Sequence, residues 1–87
     1  MGSEEHLLIK SAQEGDHQAF EALVKRYDAK VMSLIRSFIK NRSDAQDIYQ
    51  EVFLRVYTGL KNFRLESSFF TWVYRITVNR CRSYFDQ

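Results

Sequence analysis

Between Phe20 and Phe38, eight apolar side chains recur at helical spacing, and no proline interrupts the chain anywhere. Phe20, Leu23, Val24, Tyr27, Val31, Leu34, Ile35 and Phe38 follow the i, i+3, i+4, i+7 pattern of a single helix face. The opposite face carries Glu21, Lys25, Asp28 and Arg36. With Asp16 as N-cap, this predicts a core helix over 17–40. A stripe that wide must be buried by other helices, so the rest of the chain has to supply them.

It does. Residues 4–13, with Leu7, Leu8, Ile9 and Ala12, read as a short amphipathic helix closed by Gly15. Asn41-Arg42 reads as a turn, and Ser43 with Gln46 as a capping box starting a third helix at 44. The stripe of that helix is Ala45, Ile48, Tyr49, Val52, Phe53, Val56 and Leu60, with Tyr49 and Tyr57 at the core's edges. Its end is expected near Lys61-Asn62, the asparagine turning left-handed. A polar loop, 62–67, then leads to a last helix capped by Ser67 or Ser68. Four helices on short connections make a compact all-α bundle.

With 87 residues there is room for one core. The division expected is an unstructured start over 1–5, whose Met1-Gly2-Ser3 reads as a cloning remnant, and a single domain over 6–87. One cysteine, Cys81, excludes an internal disulfide and fits a reducing cytoplasm. Its place on an apolar stripe favours a buried structural thiol over a redox sensor. No apolar run approaches the roughly 18 residues of a membrane span, so no membrane insertion is expected. His6 and His17 stand apart as solvated side chains, which leaves no metal site. The net charge is only +2, so any case for nucleic acid rests on how charge is distributed.

That distribution is uneven. Opposite the third helix's buried stripe lie Asp44, Asp47, Glu51 and Leu54, flanked by Gln50 and Thr58. Acids in a first turn complement the helix dipole, and a wet Glu51 needs no explanation. Leu54 does: an aliphatic side chain amid an acidic face suits a contact surface for a basic partner. Beyond it, residues 62–87 hold seven of the thirteen aromatics, interleaved with Arg64, Arg75, Arg80 and Arg82. Rings and guanidinium groups beside a loop suit unpaired bases, which offer a face to stack and a phosphate to neutralise. Aromatics at helical spacing are also ordinary core. Here they form two stripes, one of Phe69, Trp72, Val73 and Ile76, the other of Phe70, Tyr74, Val78, Cys81 and Phe85. Two stripes imply either a helix with protein on both sides or one whose second stripe awaits a partner.

The succession D-A-Q-D-I-Y-Q-E-V-F-L-R-V-Y (44–57), L-K-N-F-R (60–64) and F-F-T-W-V-Y-R-I-T-V-N (69–79) resembles region 2 of bacterial sigma factors, in the extracytoplasmic-function (stress-type) group. G-D-H-Q-A-F-E-A-L-V-K-R-Y (15–27) is similar to the stretch that opens these proteins. The resemblance implies a non-enzymatic transcription initiation domain of the sigma region 2 type, without cofactor. Asp44, Asp47, Gln50, Glu51 and Leu54 would dock on the clamp helices of the RNA polymerase β′ subunit. Asn62, Phe63, Arg64, Leu65, Glu66 and Ser67 would form the loop that captures a base flipped from the non-template strand of the promoter −10 element. Trp72, Arg75, Asn79 and Arg80 would meet the upstream edge of that element, with Phe70 as a further DNA-facing ring; by their charge the arginines and Lys61 suit phosphates. An anti-sigma factor is the further partner implied. Its use of the second apolar stripe is the rival reading, a protein-interaction module.

Three departures from the pattern are visible. Stress-type loops often read F-R-G-D where Leu65-Glu66 stand here, which removes a flexible glycine. Val73 takes the place of a second tryptophan found in primary sigma factors, a smaller wedge for melting. The family's −35-binding domain has no counterpart in these residues, which implies a protein about twice as long. An enzyme is disfavoured, since no nucleophile–base pair, metal cluster or phosphate loop is visible.

Overall fold

The computed structural model describes residues 2–86, with side chains from residue 4 onward. Four helices follow in order: α1 (Gly2–Gln13), α2 (His17–Phe38), α3 (Arg42–Gly59) and α4 (Phe69–Phe85), with a 3₁₀ turn at Leu60–Asn62 after α3. Of the five residues expected to be unstructured, Met1 lies outside the described set. Glu4 and Glu5 instead sit in the first turn of α1. Arg26 of α2 pairs with Glu4 at 2.7 Å, and the Tyr27 hydroxyl donates to Glu5.

The cap of α2 is as expected, with Asp16 Oδ1 accepting the amides of Gln18 and Ala19. Gly15 before it has φ +103°, a left-handed turn that a side chain would strain although the space around it is open. At the far end the helix stops at Phe38, earlier than expected. Phe38 is 43% exposed, and the extended C-cap residue Ile39 takes the buried place. The capping of α3 also differs. Asn41 is the N-cap, its Oδ1 accepting the Asp44 amide at 2.9 Å, so Ser43 falls inside the first turn. No non-glycine residue described has positive φ, so Asn62 is not a left-handed cap. The 3₁₀ turn ends α3 instead, with the Phe63 amide donating to the Leu60 carbonyl.

The core joins Ile9 of α1, Leu23, Val31 and Ile35 of α2, Ala45, Ile48, Val52 and Val56 of α3, and Phe69, Val73 and Cys81 of α4. On α4 the buried row is Phe69, Val73, Thr77 and Cys81, which runs between the two stripes read from the sequence. Thr77 is fully buried because its hydroxyl donates back to the Val73 carbonyl at 2.8 Å, so no polar atom is stranded. Helix α4 thus lies between α2 and α3, with Phe70 and Tyr74 flanking α2 and Trp72 and Ile76 packed at the other edge. Cys81 is buried, and burial pushes its thiol pKa up, as a structural thiol requires.

The Tyr27 phenol is pushed up to about 12 by burial first and then by its hydrogen bond to Glu5. A group with a raised folded-state pKa stabilises the fold fully below its unfolded value near 10 and loses that contribution as pH rises towards 12. Alkaline unfolding of wild type and Tyr27→Phe therefore should diverge: wild type loses stability between pH 10 and about 12, and the variant less. Parallel loss in both chains would assign the alkaline limb to other groups.

Candidate nucleic-acid interface

The connection from α3 to α4 is built on an aromatic plug. Phe63 is 8% exposed, its ring centroid 4.8 Å from Trp72 and 6.0 Å from Phe69. Beneath Trp72 lies Gly59, where a Cβ would come within 3.2 Å of the indole; the small residue makes room for the large one. From α1, the Gln13 side-chain amide donates to both the Leu60 and Phe63 carbonyls at 2.9 Å, pinning the loop's entry. Ser68 closes the loop as N-cap of α4, its Oγ accepting the Thr71 amide at 3.1 Å. Both ends of the loop are thus held by the fold.

Between those ends the chain is open. Lys61, Asn62, Arg64, Leu65 and Glu66 are exposed and Ser67 half-buried. The Glu66 amide donates to the Arg64 carbonyl at 2.7 Å, a tight three-residue turn with Leu65 at its tip. No positive φ is needed there, so the missing glycine is not required for this loop shape. Beside the loop, Trp72 is half-buried while Arg75 and Asn79 stand exposed on the same face of α4.

Three of the expected DNA residues are engaged within the fold. Phe63 is a plug and not a free platform, because its ring packs against both Trp72 and Phe69 and gains more from burial there than from water. Phe70 lies roughly 160° around α4 from Trp72 at 100° per residue. Its ring stacks on Tyr27 at 5.3 Å, with the Lys30 ammonium 5.5 Å from its centroid. Arg80 turns toward α3: its Nε and Nη2 donate to the two Glu51 carboxylate oxygens at 2.6 and 3.2 Å, and Nη1 donates to Ser83 Oγ. This bidentate bond holds the Glu51 carboxyl below the usual carboxylate range and raises the Arg80 guanidinium.

The acidic ridge of α3 is open to solvent. Asp47, Gln50, Glu51 and Leu54 line one shallow depression, with Leu54 63% exposed. Asp44 is half-buried and accepts the Tyr84 hydroxyl at 2.6 Å, a bond that raises the phenol's pKa. The sequence reading missed this clasp and the one at Arg80, since both join residues far apart in the chain. It also missed Gln13. No local pattern signals that contact, which spans 47 and 50 residues. A cleft of about 270 Å³ adjoins Lys61, where Tyr57, placed at a core edge, is 46% exposed and its ring lies parallel to His17 and edge-on to Phe20.

Comparison with known proteins places these features in a family. The Sigma-70 region 2 family matches residues 23–87. The RNA polymerase sigma-H factor of Pseudomonas aeruginosa is 42% identical over 77 residues, 88% of this chain and 40% of that protein. The ECF RNA polymerase sigma-E factor of Escherichia coli is 41% identical over 80 residues, 92% of this chain and 41% of that protein. The chain therefore spans about two-fifths of the length of the curated relatives it matches. An engineered region 2 of sigmaE in complex with GTAAAA superposes with a TM-score of 0.84 at 38% identity, covering 93% of this chain and 84% of that one. CnrH in complex with the cytosolic domain of CnrY also gives 0.84, at 29% identity, covering 91% of this chain and 51% of that one. An all-helical scaffold with an open acidic ridge on α3 and a pinned loop before an aromatic helix, matched over most of its length, is a sigma-70 region 2 domain, and the chain belongs to that family in its extracytoplasmic-function group.

Proposed function

We propose that this domain docks on the β′ clamp helices of RNA polymerase in the cytoplasm and recognises and melts the promoter −10 element. In this reading Asp47, Gln50, Glu51 and Leu54 meet the polymerase, with Asp44 at the edge of that contact. The exposed part of the loop, Asn62 and Arg64 to Ser67, receives a base flipped from the non-template strand. Trp72, Arg75 and Asn79 face the junction of duplex and bubble, and Lys61 neutralises a phosphate. The observation that carries it is the loop itself: pinned at both ends by Gln13 and Ser68, open between them, and continuous with the exposed face of α4. A relative of the same fold forms a complex with GTAAAA.

Energetics favour selectivity and melting as one event. Stacking a base on protein contributes roughly 1–3 kcal/mol, and unpairing it costs a few kcal/mol. One or two well-fitted bases therefore balance opening at a favourable sequence and fail at others. Asn79 suits a base edge, because its amide both donates and accepts.

Titrating single-stranded oligonucleotides while following Trp72 fluorescence tests this. Asn79→Ala is expected to weaken the preferred sequence about tenfold and to flatten the preference among sequences, in line with roughly 1–3 kcal/mol per base contact. Replacing residues 64–66 should change which base is preferred. Base preference untouched by both changes would remove the specificity assignment. A protein-interaction role is the second reading, with an anti-sigma factor as partner. It is supported by exposed Tyr74 and Phe85 on the second stripe of α4, and by the relative found with the cytosolic domain of CnrY.

A further inference from the structure

We infer that the Glu51–Arg80 ion pair couples the two binding surfaces: a basic partner that takes Glu51 on α3 frees Arg80 on α4 for a DNA phosphate. This rests on the function proposed above. The carboxylate belongs to the ridge assigned to polymerase, and the guanidinium follows Asn79 on the helix assigned to DNA. The two surfaces therefore share one bond. Access to it is lopsided. The Glu51 side chain is 46% exposed and that of Arg80 12%, so an incoming cation reaches the carboxylate from solvent while the arginine stays covered. The fork takes one acceptor site on each oxygen and neutralises the carboxylate, so a second guanidinium or ammonium gains the full charge and the forked geometry only by displacing Arg80. On release, Arg80 keeps its contact to Ser83 Oγ, on the side of α4 that leads to Asn79. The Tyr84–Asp44 hydrogen bond ties the same two helices farther along, so the ridge is held to α4 at two points.

Linkage makes the effect reciprocal: whatever factor docking adds to DNA affinity, DNA must add to docking. A partly exposed pair of this kind is worth a few-fold in affinity, about threefold. Freed Arg80 adds one phosphate contact, which steepens log K against log salt by about 0.7 for a single strand.

The test is a titration of the 87-residue chain with single-stranded GTAAAA at several salt concentrations, and with core RNA polymerase. Wild type, Glu51→Gln, Arg80→Gln and the double variant are compared, with Arg80→Lys as a milder change that keeps the charge and loses the fork. Glu51→Gln is expected to tighten the oligonucleotide about threefold with the steeper salt slope. In the Arg80→Gln background the same change should do nothing. Arg80→Gln and Arg80→Lys are both expected to tighten polymerase, because Glu51 is no longer held bidentately. Equal tightening by Glu51→Gln with or without Arg80 would reduce it to the loss of one negative charge and overturn the coupling. So would unchanged polymerase affinity in both Arg80 variants. If wild type binds neither ligand, the function proposed above falls and the coupling with it. If it binds both and no variant shifts either, the coupling alone falls.

Discussion

Phe63→Ala is expected to lower the free energy of unfolding by about 3 kcal/mol, at the lower end of the range for a buried phenylalanine truncated to alanine. An 87-residue domain has roughly 4–13 kcal/mol in all, so this one side chain carries a large share. The reason is geometric. Phe63 packs against both Trp72 and Phe69 in a three-ring cluster, at the point where Gln13 ties α1 to the loop. Urea unfolding read by circular dichroism should show the midpoint fall. Trp72 emission should shift to the red in the folded baseline, since its ring loses the cover 4.8 Å away. A loss under about 1 kcal/mol would mean that Phe63 stands free in solution, open to a base as the reading of 62–67 as a base-capturing loop expects.

Leu54→Ala is the opposite kind of variant. Leu54 is 63% exposed and outside the core, so its truncation should change stability by no more than about 0.5 kcal/mol. Its expected effect is on docking. In the docking proposed above, an apolar side chain amid Asp47, Gln50 and Glu51 would be the anchor, its rim supplied by the charges. Anchors of this sort cost about 2 kcal/mol or more when truncated, which is roughly 30-fold in affinity for core RNA polymerase. Affinity within about twofold of wild type would assign the ridge to some other partner or to none. Together the two variants separate scaffold from surface, one losing stability and the other losing docking.

Much of the architecture is legible before any coordinates. The spacing of Phe20 through Phe38 specifies α2 and its face, Asp16 its start, and Gly15 the turn before it. Asp44, Asp47, Glu51 and Leu54 of α3 fall opposite its buried stripe by spacing alone; Asp47, Glu51 and Leu54 are exposed, while Asp44 is half-buried under Tyr84. Element ends were less legible. Ser43 and Asn41 are both good caps in principle, and Asn41 wins because α2 already ends at Phe38 and Ile39 is drawn into the core.

What spacing cannot supply is the neighbour. A period of 100° tells which side chains share a face of α4, and says nothing about which helix stands against that face or at what height. Packing α4 between α2 and α3 chose Phe69, Val73, Thr77 and Cys81 as the buried row, sent Phe70 to Tyr27, and put Phe63 under cover. The same docking brought Arg80 level with Glu51, 29 residues away, and Gln13 level with Phe63, 50 residues away. Local pattern is a property of consecutive residues, whereas these contacts depend on the axial offset between helices, which appears only when all the stripes are buried at once.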